Sequence, residues 1–482
     1  MSVETANTRD EHFALGGGLL LLVAAKLFVI LFYGPLLQPD SGGYITYADQ
    51  MLRDSRWLYD QPGGGGDASY RMLGYPALIA AFKLLAGEYF GYGVLLIQAM
   101  LSLAATAVLY GFLRDLFDDW RWALFAVSCY AAGLPLVFDA FLLTDGIYGN
   151  IVAIIVATLG GLALRCSGSA SKIATIGGAL ACAFLVREAT LQLVVAFLPL
   201  LALAAREGFW SRTQSLVLFA LPLFVVAATY MCWNNYRSNA FFVTTGMRTA
   251  ALLPLVQVAG RGALIFDGDS RLDQAARSVL VGFSYDEVLL INRRLEVLGM
   301  SGAEIDREVR EKYWKSLLRF PGEFSQHAFR ELGLHKRALV LANPIRSAVH
   351  LEEFRAKGEL AGLGSRVRRA IAGGHYWLGG IVAIELMFSV ISVAIGFLAF
   401  VVFPVRFVIV LIRQKRLSRR WLILGALWLL YITFLTAYAM IRVEDRYLIG
   451  VLPAILAVGL AMARDVLVRG RVVWAQVWPQ RV

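Results

Sequence analysis

Pro39-Asp40-Ser41-Gly42-Gly43-Tyr44 follows the first long apolar run. Asp40 is the first carboxylate after roughly two dozen mostly apolar residues, about the length that spans a bilayer core. It therefore stands where a membrane helix emerges into water and where a carboxylate can act on a lipid-borne substrate. The same residue types make ordinary turns, and Asp40-Ser41 can equally cap a helix starting near Gly43. Further ionisable residues recur at the ends of later apolar runs. Asp139 and Asp145 flank a tight connection, and Arg187 with Glu188 forms a whole turn. Arg442, Glu444, Asp445 and Arg446 form another turn, and Arg71 opens Arg71-Met72-Leu73-Gly74-Tyr75-Pro76. A guanidinium fork matches a phosphate. A carboxylate beside it can take a proton from an attacking hydroxyl, or hold a metal ion that helps a phosphate leave. Each arginine can instead make a local ion pair, Arg187–Glu188 or Arg442–Glu444, but several such sites on one face favour a shared anionic ligand.

The elements that must position these residues are membrane helices. Of 482 residues, 58% are hydrophobic and only 17% charged, against about 25% charge in soluble domains. The net charge of +11 comes from short basic clusters between apolar runs, as cytoplasmic loops require. No basic stripe interleaved with aromatics speaks for nucleic acid. Cys129, Cys166, Cys182 and Cys232 lie in or beside apolar runs without paired spacing and read as packing residues. The five histidines form no ligand motif; His327 and His335 fall on one helical face, and a surface position is expected for each.

Spans are expected at about 13–37, 92–113, 121–138, 141–164, 173–186, 189–205, 214–232, 376–411, 421–440 and 446–463. This is an all-α polytopic membrane protein of about ten spans, or eleven if 328–342 enters the membrane. Residues 1–12 are expected as a disordered cytoplasmic N-terminus, 13–233 as an N-terminal transmembrane module, 234–374 as a mostly helical outer region, 375–466 as the last spans and 467–482 as a cytoplasmic tail. The first outer loop, 38–90, holds two partly amphipathic stretches near 43–58 and 72–86 that read as surface helices. Ser301 and Glu304 form a capping box for a soluble helix reaching Leu318, with Pro321 beyond it. Lys26 lies inside the first span, where it is either functional or snorkels.

Alternating ten spans puts the basic loops around Arg114, Arg165, Arg206 and Arg413 on one side, the cytoplasm. Asp40, Asp139, Arg187-Glu188, 234–374 and Arg442–Arg446 then share the outer side. No long internal repeat supports a transporter built from inverted repeats.

In this order and on this face, the motifs resemble those of the GT-C superfamily of integral-membrane glycosyltransferases, which includes protein mannosyltransferases and lipid A aminoarabinose transferases. Pro39–Tyr44 is similar to the acidic motif that begins the family's first outer loop. Arg71–Pro76 resembles R-x-P-G-Y-P, with Leu73 in place of the usual proline. Leu143-Thr144-Asp145 resembles L-T-[E/D] at the head of the fourth span, and Glu444-Asp445-Arg446-Tyr447 with Pro453 resembles E-x-R-Y followed by Pro. The chain departs from many relatives in having Ser41 rather than a second acid after Asp40, and in carrying its polar region mid-chain.

The resemblance implies an inverting transferase that moves a sugar from a polyprenyl-phosphate donor to a glycan, lipid or protein acceptor at the periplasmic face of a bacterial inner membrane. It implies Asp40 as the catalytic base or acceptor-orienting group, with Asp145 as a second acid and Asp139 as the alternative. Arg71, Arg187, Arg442 and Arg446 become donor-phosphate ligands, with Glu188 and Glu444 beside them, and Tyr44, Tyr75 and Tyr447 line the site. A divalent cation (Mg2+, Mn2+ or Zn2+) on Asp40 and Asp145 stays open. A transporter or flippase of an anionic lipid or small anion would use the same arginines without chemistry, but apart from Lys26 and Glu385 the spans hold few ionisable residues. A non-catalytic subunit of an envelope-assembly complex, docking through 234–374, is a third reading.

The topology has a direct check. In a background without the four native cysteines, Ser301→Cys should react with a membrane-impermeant thiol reagent added outside and Ser418→Cys should not. Equal labelling would overturn the alternation of ten spans.

Overall fold

A computed structural model describes residues 3–53, 70–205, 208–238, 241–334, 372–374, 387, 390–414, 417–441 and 445–477. The first helices are α1 (Val3–Tyr33), α2 (Pro39–Arg53), α3 (Gly74–Ala86), α4 (Phe90–Phe117), α5 (Trp120–Ala131) and α6 (Leu134–Phe138). Next come α7 (Thr144–Arg165), α8 (Ala170–Val186), α9 (Thr190–Ala204) and α10 (Phe209–Ser238). The polar region holds α11 (Met247–Ala259), α12 (Arg271–Val279), α13 (Tyr285–Val297), α14 (Gly302–Arg319) and α15 (Pro321–Leu334). The chain closes with α16 (Phe403–Arg413), entered through a π turn, α17 (Arg419–Ala439), a 3-10 segment (Asp445–Val451) and α18 (Leu452–Val477). Among the described residues, the extended pairing is one isolated parallel bridge, Leu36 with Phe141.

Eight helical stretches among the described residues are long and apolar enough to cross a membrane: Arg9–Tyr33, Gly74–Phe117, Trp120–Phe138, Thr144–Arg165, Phe209–Tyr236, Val390–Arg413, Arg419–Ala439 and Arg446–Leu467. The expected spans at 173–186 and 189–205 are the shorter helices α8 and α9, of 17 and 15 residues. Arg187 and Glu188 between them end the apolar run early. The stretch expected as a surface helix at 72–86 is α3, which runs through a 3-10 turn (Gly87–Tyr89) straight into α4. It packs on α2 and α8. Of the expected span at 376–411, residue 387 and the part from Val390 are described, and of 328–342 only the part within α15.

The spans pack through one large apolar core drawn from α4, α5, α7–α10 and α16–α18. A second core joins the end of α1 to α2, α3, α4 and the connection before α7. A third lies within α11–α15. There the expected capping box is present: Ser301 Oγ accepts from the Glu304 N–H, and the Glu304 carboxylate accepts from the Ser301 N–H. Pro321 begins α15, where its missing N–H costs nothing. His327, expected at the surface, is fully buried; its Nε2 lies 3.2 Å from the Ile441 carbonyl. With the Tyr313 hydroxyl, which donates to the Met440 carbonyl at 3.1 Å, it ties the polar region to the end of α17. Of the four cysteines read as packing residues, Cys129 is buried and the other three are exposed.

The basic residues at the end of the bundle expected to face the cytoplasm do local work as well. Arg419 donates to the Ala163 and Leu203 carbonyls, and Arg464 to that of Phe117. These guanidiniums close the orphan carbonyl ends of α7, α9 and α4.

Two glycines decide how closely the site-bearing elements approach. A Cβ on Gly149 of α7 would stand 2.4 Å from Ile449 Cγ2, so glycine there admits the 3-10 segment that carries Arg446. A Cβ on Gly74 would stand 2.6 Å from the Leu185 carbonyl oxygen, where α3 meets α8 beside Arg187. Backbone cannot yield as a side-chain tip can. Gly74→Ala is therefore expected to destabilise the protein by about 1–3 kcal/mol, seen as a lower unfolding midpoint in detergent. Gly178→Ala, with no atom within 4 Å of the added Cβ, should leave the midpoint unchanged or raise it.

Candidate active site

Asp40 does not cap a helix near Gly43. Helix α2 starts at Pro39, which places Asp40 in its first turn. Ser41 Oγ instead accepts from the Gln38 N–H at 3.0 Å. Asp145 likewise lies in the first turn of α7. Each carboxylate thus sits at the positive end of a helix dipole. The parallel bridge sets the two starts side by side: Leu36 accepts from Leu142 and donates to Ala140, at 3.0 and 2.9 Å. Asp40 lies four residues beyond Leu36 and Asp145 four beyond Phe141, the bridged pair.

The carboxylates and guanidiniums alternate in a row. Asp40 Oδ1 accepts from Arg71 Nη2 at 2.8 Å and Oδ2 from Arg446 Nη2 at 3.1 Å. Arg446 Nη1 faces Asp145 Oδ2 at 3.8 Å, and Asp145 Oδ1 accepts from Arg187 Nη1 at 2.5 Å. Three cations and two anions leave the row one positive charge in excess. Burial by itself would push the Asp40 carboxyl up; Arg71 and Arg446 outweigh it and hold Asp40 below the usual carboxylate range.

Aromatic faces carry the guanidiniums. Arg71 lies 4.7 Å from the Tyr44 ring centre and 4.9 Å from that of Tyr70. Its Nη1 donates to the Tyr44 hydroxyl at 3.2 Å. Arg187 lies 4.3 Å over Tyr447, which also faces Arg446 at 5.3 Å and stacks on Tyr438. Such cation–π contacts hold a charge where water is scarce.

The sequence-based candidates separate into groups. Asp40, Tyr44, Arg71, Asp145, Arg187, Arg446 and Tyr447 come together. Tyr75 does not line the site: it is fully buried behind Tyr44, edge to face, and its hydroxyl donates to Gln98 Oε1 at 3.0 Å. Asp139 pairs instead with Lys26, away from the row. Glu188 turns toward Gly246 at the start of α11. Arg442 and Glu444 lie outside the described residues. Gln98 was not anticipated. Its signal was a lone amide in an apolar run, expensive in a membrane and seldom idle.

The guanidinium of Arg446 lies between Asp40 and Asp145, where a divalent ion shared by the two would sit. No group of three or more His, Cys, Asp or Glu suited to a metal occurs among the described residues. The residues in this arrangement do not fit a divalent-cation site.

No family model and no curated protein matches the chain. Among solved structures it is similar to the oligosaccharyltransferase of Archaeoglobus fulgidus crystallised with zinc and sulfate, with a TM-score of 0.44 and 15% identity over 95% of this chain and 50% of that one. It is also similar to the oligosaccharyltransferase AglB of Archaeoglobus fulgidus with an inhibitory peptide and a dolichol-phosphate (TM-score 0.45, 13% identity, 95% of this chain and 52% of that one). A third similar structure is ArnT from Cupriavidus metallidurans bound to undecaprenyl phosphate (TM-score 0.39, 16% identity, 96% of this chain and 80% of that one). The chain spans about half the length of the oligosaccharyltransferase chains it matches. These neighbours are membrane glycosyltransferases of the GT-C superfamily. At this level of similarity they assign no activity to this chain.

The row predicts unequal costs for its two acids. The Asp145 side chain is 3% exposed and its partner Arg187 17%, so Asp145→Asn strands a buried cation and should cost about 3–5 kcal/mol. Asp40 is 35% exposed and its pairs with Arg71 and Arg446 are part-buried, so water replaces part of what is lost and Asp40→Asn should cost less than Asp145→Asn. Unfolding midpoints of the two purified variants check this; equal midpoints would contradict the burial argument.

Proposed function

We propose that the chain is an inverting glycosyltransferase that moves a sugar from a polyprenyl-phosphate donor to a hydroxyl or amine acceptor, at the periplasmic face of a bacterial inner membrane. The observation that carries this reading is the alternating row Arg71–Asp40–Arg446–Asp145–Arg187. It brings basicity and anion-binding forks together at the starts of two helices. The resemblance of the surrounding motifs to those of the GT-C superfamily supports the same reading.

In the proposed reaction, the acceptor oxygen attacks the anomeric carbon from the face opposite the phosphate. The carbon–oxygen bond to phosphate breaks, and the polyprenyl phosphate leaves with the bonding electrons. One displacement inverts the anomeric centre. Guanidiniums of the row receive the phosphate charge, and Asp40 takes the acceptor proton. The two roles are coupled. An arriving phosphate competes with the carboxylates for the same N–H groups, because both are bidentate acceptors for arginine. Each N–H that Arg71 or Arg446 turns to phosphate is withdrawn from Asp40, whose basicity then rises toward that of an ordinary carboxylate. The base is thus weak in the empty site and strengthens once the donor is seated. Tyr44 and Tyr447 keep the guanidiniums oriented through this exchange.

Mass spectrometry of lipid extracted with the purified protein tests the substrate class; a polyprenyl phosphate or its glycosylated form is the expected finding. With that lipid as donor, Asp40→Asn should lower kcat by about 10²–10⁴-fold, the usual worth of general base catalysis, while the protein stays folded. Near-parental turnover in Asp40→Asn would overturn the role given to Asp40.

A further inference from the structure

Among the described residues, the ion pair between Lys26 and Asp139 is the most buried charge pair that the chemistry above does not use. Lys26 lies within the membrane-length stretch of α1 and is 2% exposed; Asp139, before α7, is 3% exposed. The Lys26 ammonium donates to the Asp139 carboxylate and, at 2.8 Å, to Ser102 Oγ on α4. An ion pair taken out of water is a poor source of stability: apolar side chains of like size often serve as well or better. Its value lies in what it holds.

Asp139 immediately precedes Ala140, whose carbonyl accepts from Leu36 in the parallel bridge. Gln98, fully buried on α4, braces the same turn. Its Nε2 lies 3.3, 3.2 and 3.0 Å from the carbonyls of Phe138, Asp139 and Phe141. Its Oε1 accepts from Tyr75, whose ring backs Tyr44. Three helices thus converge on one short connection: α1 through Lys26, α4 through Ser102 and Gln98, and α3 through Tyr75. Asp40 stands four residues beyond Leu36 and Asp145 four beyond Phe141, the pair bridged at that connection.

We propose that Lys26 and Asp139 are positioning residues, a buried charge clamp that sets the Leu36–Phe141 bridge and so brings Asp40 and Asp145 to one guanidinium, Arg446. The inference rests on the site proposed above, but not on the identity of its substrate. Charge suits the task because an apolar contact can slide, whereas a buried ion pair has one arrangement that avoids stranding a charge. A displacement of about one ångström at a reacting group is worth about a hundredfold in rate, so a clamp remote from the chemistry still matters.

The test compares the full-length parent, Lys26→Arg and the double variant Lys26→Met/Asp139→Leu in lipid nanodiscs. Three quantities are read: the unfolding midpoint, hydrogen exchange of the Leu36 and Leu142 amides, and affinity for undecaprenyl phosphate. The double variant should unfold at or above the parental midpoint, exchange both amides at least about tenfold faster and bind undecaprenyl phosphate about tenfold more weakly, a loss of about 1.4 kcal/mol. Lys26→Arg, which keeps a cation on Asp139, should stay near the parent in all three. Parental exchange and affinity in the double variant would overturn the proposal. So would fast exchange of the two amides in the parent itself, whether or not the double variant folds. If exchange rises in the double variant while the parent does not bind undecaprenyl phosphate, the clamp stands and the polyprenyl-phosphate reading falls.

Discussion

Two carboxylates share one guanidinium at the centre of this molecule, and much of the architecture follows from that constraint. Asp40 and Asp145 repel each other wherever water is scarce, and Arg446 between them makes their proximity tolerable. Arg71 and Arg187 at the ends complete the neutralisation and leave one positive charge over. Such a row forms only if separate parts of the chain arrive together. The start of α2 supplies one acid, the start of α7 the other, and the 3-10 segment after α17 the shared arginine.

The fold meets that requirement with short, local devices. A two-hydrogen-bond bridge sets two helix starts in register, and helix dipoles favour an acid in each first turn. Gly149 admits Ile449 and with it the turn bearing Arg446, while Gly74 admits the end of α8 and with it Arg187. The polar region contributes from the far side: Tyr313 and His327 hold the carbonyls of Met440 and Ile441, a few residues ahead of Arg446. Its helices form their own core, so this grip on α17 comes from a preorganised body.

In the function proposed above, a row saturated with its own ion pairs exchanges them for those of the donor phosphate. Arg71, Arg446 and Arg187 each already donate to a carboxylate oxygen, an acceptor of the kind a phosphate also presents. On that proposal, little reorganisation would separate the resting pairing from a substrate-bound one, and preorganised electrostatics of this kind is where enzymes gain most. The single excess positive charge gives direction to the exchange, since an arriving anion completes the neutralisation.

By itself the sequence determined the helical membrane class, most of the spans and the capping box at Ser301, and it singled out the charges of Asp40, Arg71, Asp145, Arg187 and Arg446, while Tyr44 and Tyr447 entered through the resemblance. These were legible because they are local facts. Apolar runs have a length, turn residues have a composition, and arginines at the short turns expected on the outer side stand out against charge bias. Tertiary structure decided what each charge faces. Asp139 and Asp145 look alike in sequence, yet one meets Lys26 from a helix more than a hundred residues away and the other meets Arg187 and Arg446. Tyr75 and His327 carry polar groups that suggested a site or a surface, and both are buried against partners no spacing rule could name. The physical reason is that hydropathy reports how much of a residue prefers to leave water, whereas an ion pair or a buried hydrogen bond depends on which second group fills the space opposite. That choice is made by packing.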